Sequence, residues 1–149
     1  MQRLILVTSI SANQDEVFDL ATDLDLHQSS MRQFRERAIA GRMSGRIGPG
    51  ESVTWRARHL GVRWTMTSRI ESFERPVSFT DAQVRGPFGF FRHEHRFTPV
   101  DGGTVMTDIV DVAAPFGLLG RPSERLVARY LERLLAERNR AISEAATSP

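Results

Sequence analysis

Residues 90–98 read Phe90-Phe91-Arg92-His93-Glu94-His95-Arg96-Phe97-Thr98. Successive side chains of a strand point to opposite faces. This run therefore places Phe91, His93, His95 and Phe97 on one face and Arg92, Glu94 and Arg96 on the other. One side is aromatic and the other charged, the pattern of an antiparallel strand that is wet on one side only. The same division recurs upstream. Residues 51–60 set Val53, Trp55, Ala57 and His59 against Thr54, Arg56 and Arg58. Residues 62–74 set Val62, Trp64, Met66, Ser68 and Ile70 against Arg63, Thr65, Thr67 and Arg69.

Period two holds from Phe34 to Ala114 and predicts strands at 35–42, 51–60, 62–74, 77–85, 90–98 and 104–113. Gly48-Pro49-Gly50, Leu60-Gly61, Arg75-Pro76, Gly86-Pro87-Phe88-Gly89 and Asp101-Gly102-Gly103 separate them. Gaps this short admit only antiparallel neighbours, because a parallel crossover needs about a dozen residues or more. Arg3 to Ser11 is a further strand, with Leu4, Leu6 and Ile10 on one parity. Asn13, with Glu16 three residues on, starts a first helix, and Asp23 to His27 forms a second, short one. The acids of this region suit helical first turns. Pro122 opens a long final helix over 121–145, in which Leu126, Val127, Tyr130, Leu131, Leu134, Leu135 and Ile142 recur at helical spacing. The expected architecture is α+β, with topology β-α-α-β6-α: a seven-stranded antiparallel sheet whose apolar face is covered by the last helix.

The chain has 149 residues, of which 40% are hydrophobic and 26% charged, an ordinary globular composition that excludes wholesale disorder. The length suits a single domain over 1–149. Cysteine is absent, which excludes disulfides, thiolate metal sites and a cysteine nucleophile. The sequence pI is about 10.3 although the net charge is only +2. All 20 basic residues are arginine, so with one tyrosine and no lysine little titrates below pH ~10. The high pI reflects missing buffers, and nucleic-acid binding is not expected. No apolar run reaches the ~18 residues of a membrane span, and the N-terminus lacks a signal-peptide core, so the expected location is cytoplasmic.

The inner face carries more polar residues than a plain core. It holds His59, His93 and His95, with Phe79, Asp81 and Gln83 on one parity of 77–85 and Met106, Asp108 and Val110 on one parity of 104–113. Buried polar groups cost free energy unless they are paired, and a hollow, partly hydrated cavity would satisfy them. The aromatics Trp55, Trp64, Phe79, Phe91 and Phe97 read either as solid core or as cavity walls.

The stretch Phe79-Thr80-Asp81-Ala82-Gln83, Gly86-Pro87-Phe88, His93-Glu94-His95-Arg96-Phe97, Gly103-Thr104-Val105-Met106-Thr107-Asp108 and Pro115-Phe116-Gly117 resembles the START/SRPBCC superfamily. Within it, the match is to polyketide cyclase/dehydrase-like, Bet v 1-type proteins. The resemblance implies a helix-grip fold, with a curved sheet wrapped around the C-terminal helix and a hydrophobic cavity between them. It carries over no catalytic residue.

On this reading the chain binds a small hydrophobic or amphipathic molecule, a lipid or a polyketide-like compound. The ligand-binding candidates are Trp55, His59, Trp64, Met66, Phe79, Asp81, Gln83, Phe91, His93, His95, Met106, Asp108, Tyr130 and Leu134. A pocket of a few hundred cubic ångströms is expected between the sheet and helix 121–145. The enzymatic alternative is a cyclase or dehydratase in which His93, His95, Asp81 and Asp108 move protons. A third reading is a stress- or toxin-type accessory protein that acts through a partner surface. A metal on His93 and His95 would need Asp81 and Asp108 as further ligands, and none is expected. No dinucleotide or haem signature is present, so no cofactor is expected either. Leu118-Leu119, between Gly117 and Gly120, reads as a movable gate or as an ordinary loop. The Arg121, Arg125, Arg129 and Arg133 stripe reads as a solvated face, or as a contact with an acidic ligand or, transiently, with an anionic membrane surface. The molecule is expected as a monomer or homodimer.

A face shared across an antiparallel pair requires an even position sum. The sequence-based register therefore sets Asp81 opposite His95 and Gln83 opposite His93, with a loop over 86–90. Asp108 joins the cluster only through an odd or irregular register at Asp101-Gly102-Gly103.

Overall fold

The computed structural model describes residues 1–114 and 121–147, with only the backbone of Arg121. Leu118-Leu119 and the Pro115-Phe116-Gly117 motif fall outside the described residues. The elements run β1 (Gln2–Ile10), α1 (Gln14–Ala21), α2 (Leu24–Ser30), a 3-10 turn (Arg32–Phe34), β2 (Arg37–Gly41), β3 (Ser52–His59), β4 (Val62–Glu74), β5 (Ser78–Arg85), β6 (Phe90–Val100), β7 (Gly103–Ala113) and α3 (Arg121–Thr147). The strands form one antiparallel sheet in the order β1-β7-β6-β5-β4-β3-β2. Each strand from β2 to β7 pairs with its sequence neighbour, and β1 closes onto β7. The expected helix-grip topology is the observed one.

Local chemistry accounts for the elements. Asn13 Oδ1 accepts the Glu16 N–H at 2.9 Å and caps α1, and Asp23 Oδ1 accepts from Asp25 and Leu26 to cap α2. The acids of α1 also bind arginines, with Asp19 taking Arg75 at 2.8 Å and Arg46 at 2.7 Å. The β3–β4 turn is Leu60-Gly61, with φ of 53° and 77°. Two positive φ values in a two-residue loop match the twist of the strands it joins. At Gly103 a Cβ would lie 2.2 Å from the Ile10 carbonyl oxygen, so the tight approach of β1 to β7 requires glycine there.

The apolar core lies at one end of the concave face, beneath α1 and the C-terminal half of α3. Phe18 stands edge-on to Phe73, Phe79 and Phe97 at ring separations of 5.3, 5.4 and 5.1 Å. Ile10, Val17, Met106 and Ile142 fill around them. The buried line of α3 differs from the expected apolar stripe. Leu126 is 67% exposed, whereas Glu124, Ala128, Arg138, Asn139 and Ile142 are buried. The inward face is partly polar, so counting leucines placed it slightly out of phase. No helix among the described residues is long and apolar enough to cross a membrane.

Candidate functional site

The β6–β7 hairpin turns on Asp101-Gly102, because Val100 pairs with Gly103. This gives a regular odd register that sets His95 opposite Asp108 and Phe97 opposite Met106. Asp108 therefore faces inward beside the histidines and is wholly buried. On the other flank the register differs from the expected one by two residues. Asp81 lies opposite His93, and Phe79 lies opposite His95. The ladder stops at Ala82–Arg92, leaving a wider loop than 86–90. Gln83 supports that loop: its amide nitrogen donates to the Phe88 carbonyl at 2.9 Å, and its oxygen accepts the Phe88 N–H at 3.2 Å. Gln83 is thus a loop brace rather than the partner of His93.

The polar cluster forms, on diagonals. His95 Nε2 lies 2.7 Å from Asp81 Oδ2, and His93 Nε2 lies 2.7 Å from Asp108 Oδ1. The rings stack in a column, with Phe79 on His95 at 3.9 Å and His95 on His93 at 3.7 Å. From α3, Arg138 Nη2 donates to Asp108 Oδ1 at 3.0 Å, and Asn139 Nδ2 donates to Asp108 Oδ2 at 2.7 Å. Asn139 also reaches the Thr8 hydroxyl at 3.1 Å, tying the network to β1.

Arg138 and Asn139 are members of the cluster that the sequence reading missed. They sit where the helical spacing between Leu135 and Ile142 calls for buried side chains, and that interruption of the apolar stripe was the available signal.

The electrostatics follow from these contacts. Burial pushes the Asp108 carboxyl up, but Arg138 and the hydrogen bond from His93 outweigh it and hold the group well below the usual carboxylate range. Asp81 behaves likewise: burial opposes ionisation, while His95, His93 and Arg138 favour it and prevail. His95 is pushed down to about 4, first by burial and then by the neighbouring His93, with Asp81 pulling the other way. At neutral pH His95 is therefore neutral. Its Nε2–H donates to the Asp81 carboxylate, which leaves Nδ1 a bare lone pair. Nδ1 is buried without a hydrogen-bond partner, 3.5 Å from Asp108 Oδ1.

Apart from His95 Nδ1, the side chains of this cluster satisfy one another directly, which corrects the expectation that water or a ligand must do so. Phe79, Met106, His95 and Asp108 are 0–3% exposed, and His93 is 4% exposed. An atom lining a space large enough for a ligand would show accessible surface. Phe79 and Met106 are thus solid core rather than cavity wall, and His93, His95 and Asp108 stand behind the surface. Asp81 is the member that opens outward, its side chain keeping 19% exposure.

The remaining candidates form a half-open wall. Trp55 is half-buried and lies against the His27 ring at 4.6 Å. Met66, opposite Trp55 in the ladder, is also half-buried. Phe91 stacks with Phe88 at 5.2 Å. His59 Nδ1 and the Tyr130 hydroxyl share a hydrogen bond of 2.8 Å, which joins β3 to α3. Burial pushes His59 down, against the pull of Glu36. Leu134 is half-buried on α3. Trp64 is 41% exposed, with its indole N–H on the His59 carbonyl at 3.3 Å, so it lies at the rim and not inside.

Asp81, His93 and His95 each offer one ligand atom within 4.8 Å of the others. Both imidazole Nε2 atoms are already hydrogen-bonded to carboxylates at 2.7 Å, and the two rings stack on each other at 3.7 Å. The geometry serves a hydrogen-bonded network better than a metal.

The solvent-open depressions among the described residues include two of several hundred cubic ångströms. One, of about 890 Å³, is lined by α2, the 3-10 turn and the outer ends of β2, β3 and β4. The other, of about 580 Å³, lies between Asp19, Arg46 and Arg75. Neither is the enclosed pocket that the alternation predicts between the sheet and α3.

Known proteins share this fold. The family model described as polyketide cyclase / dehydrase and lipid transport matches residues 1–147. No curated protein matches the sequence. Among solved structures, TTHA0849 from Thermus thermophilus is similar at 18% identity and a TM-score of 0.76, over 99% of this chain and 100% of that one. A START superfamily protein from Mycobacterium smegmatis is similar at 14% identity and 0.74, over 97% of this chain and 99% of that one. The Zhui aromatase/cyclase from Streptomyces sp. R1128 is similar at 17% identity and 0.72, over 97% and 93%. At these identities the likeness is one of fold, the helix-grip fold of START and Bet v 1 proteins.

Proposed function

The chain belongs to the polyketide cyclase / dehydrase and lipid transport family, and from that membership we propose that it binds a small hydrophobic or amphipathic molecule, lipid or polyketide-like, between the concave sheet and α3. The apolar body of the ligand rests on Trp55, Met66, Phe91, Tyr130 and Leu134, with His59 and Trp64 at the rim. Its polar end meets Asp81. The observation that carries this reading is the position of Asp81 as the part-exposed carboxylate hydrogen-bonded to the buried His95, beside the buried His93 and Asp108. A carboxylate held ionised by His95 and backed by a rigid ring stack is a fixed acceptor for a ligand hydroxyl. His93, His95 and Asp108 hold that acceptor in place and do not touch the ligand.

One observation favours the enzymatic alternative. Asp81 and His95 form an acid–base pair whose outer end reaches the concave side, as a cyclase or dehydratase would need. Against it, a histidine pushed down to about 4 with its free nitrogen turned inward toward Asp108 is poorly placed to take substrate protons near neutrality.

Native mass spectrometry of gently purified protein, followed by extraction and identification of the bound compound, tests the binding reading. A bound amphipathic molecule is expected, displaced in Trp55→Ala and Met66→Ala. Purification free of such a molecule, with no uptake of fluorescent fatty-acid probes, would sink it. Asp81→Ala separates the two readings. A carrier loses one hydrogen bond of about 0.5–1.5 kcal/mol in affinity. A cyclase loses turnover by ~10²–10⁴-fold while still retaining substrate.

A further inference from the structure

Three features that each cost free energy meet at the β3–β4 hairpin. The first is charge. Arg37 lies directly opposite Arg56, and Arg58 directly opposite Arg63, across the β2–β3 and β3–β4 ladders. Like charges in directly opposed positions are destabilising. With Arg32 and Arg35 they line the open depression of about 890 Å³. Among the described residues none of these six guanidiniums has an ion-pair or hydrogen-bond partner. The two acids nearby are engaged elsewhere: Asp25 accepts the Gly45 N–H, and Glu36 pairs with His27. Arginines elsewhere do find acids, as Arg3 on the far edge strand does with Asp111 and Arg75, between β4 and β5, does with Asp19 of α1.

The second feature is exposed apolar surface. Leu60 at the hairpin apex is 87% exposed, Val62 is 50% exposed and Trp64 is 41% exposed. The third is backbone strain. Leu60 holds φ at 53°, a conformation that favours glycine, and Arg35 does the same at 53°. A sequence selected only for stability would place glycine at the apex and acids among the arginines. Strain, unpaired like charge and exposed apolar groups gathered in one place mark a surface shaped for something outside the chain.

The geometry points to an anionic lipid bilayer as the occupant, with the β3–β4 hairpin as the element that docks. Leu60 stands two residues beyond Arg58, and Gly61 two before Arg63, so at strand rise the arginines lie about 7 Å behind the apex. That offset matches an apolar tip entering about 5–10 Å into the headgroup and acyl boundary while the guanidiniums stay among the lipid phosphates. Trp64, held by its indole N–H to the His59 carbonyl, presents an amphipathic ring at the depth where tryptophans collect. The remaining arginines of the depression extend the basic surface along the sheet edge. This docking stands independently of what the concave face holds.

Sedimentation with vesicles tests the proposal, comparing pure phosphatidylcholine with a phosphatidylcholine–phosphatidylglycerol mixture at low salt. Binding to the mixture and not to pure phosphatidylcholine is expected, weakening as ionic strength rises. Each arginine removed lowers affinity about five-fold, so R58Q/R63Q binds roughly 25-fold more weakly. Leu60→Gly, which suits the turn, keeps the fold by circular dichroism and also binds more weakly. A blue shift of tryptophan fluorescence on vesicles disappears in Trp64→Phe. Equal binding to both vesicles, no binding at low salt, or wild-type affinity in both R58Q/R63Q and Leu60→Gly would each overturn it. So would a dimer of this chain that Leu60→Gly dissociates, because the apex would then belong to a second copy.

Discussion

His95 hydrogen-bonds to Asp81 at 2.7 Å although the residue directly across the ladder from His95 is Phe79 and the one across from Asp81 is His93. The bond runs on the diagonal, because the space directly opposite His95 is taken by the ring of Phe79 stacked on it at 3.9 Å. Diagonal neighbours on one face lie within reach of long and aromatic side chains. This offset leaves His93 free to turn to Asp108, so one carboxylate serves each imidazole.

Asp108 is the hub, and its loss would strand a buried guanidinium. Asp108→Asn is expected to destabilise the fold by about 3–5 kcal/mol in urea unfolding. Adding Arg138→Met to it removes the stranded charge and should recover most of the loss. A double variant no more stable than the single one would show that Asp108 does not serve to hold Arg138.

The depressed His95 sets a pH window. Its folded value is about 4 against an ordinary 6.5. Above 6.5 both folded and unfolded chains carry it neutral, and its contribution to stability is complete. As pH falls from 6.5 toward 4 the unfolded chain takes a proton that the folded chain refuses, so stability drops. The loss approaches about 3 kcal/mol at the lower end of that window. The carboxylates Asp81 and Asp108, with lowered values, lose their contributions only at more acidic pH. Urea midpoints at about pH 7.5 and about pH 4.5 should therefore differ more in the wild type than in His95→Gln. Equal differences would place the titration elsewhere.

Gln83 closes the β5–β6 loop with two hydrogen bonds to Phe88. Gln83→Ala should cost about 1–3 kcal/mol and speed amide exchange at Phe88 before exchange in the adjoining ladder. Gly86→Ala is expected to act in the same direction, because its Cβ would fall 2.4 Å from the Gln83 side-chain oxygen and 2.9 Å from Met66. Unchanged exchange at Phe88 in both variants would remove Gln83 from this role.

The apex offers the opposite sign. Leu60 is exposed and holds a left-handed backbone, so Leu60→Gly relieves strain and gives up little packing. A gain of up to about 1 kcal/mol is expected, since glycine's extra unfolded-state entropy offsets part of the relief. Thermal unfolding at fixed pH measures it, and a clear loss of stability would mean that Leu60 packs in solution.

Parity along each strand, together with the breakers between strands, determined the element order, the antiparallel pairing and the inward face. These are local properties: a side chain's face follows from its position in a pleat, and a short loop allows only one kind of neighbour. The inward placement of Asp81, His93 and His95 was legible for that reason. What only the tertiary structure decided was register and burial. The Asp81–His95 offset depends on how Gln83 braces a loop, and the entry of Asp108 depends on a turn that parity alone left open. The filling of the network by Arg138 and Asn139 comes from a helix some thirty residues downstream of Asp108. Its depth there is set by docking on β1 and β7, and periodicity carries no information about that contact. The exposure of Leu60 and Trp64 has the same origin. Their parity points inward or to a turn, but whether anything covers them depends on where the rest of the chain comes to lie.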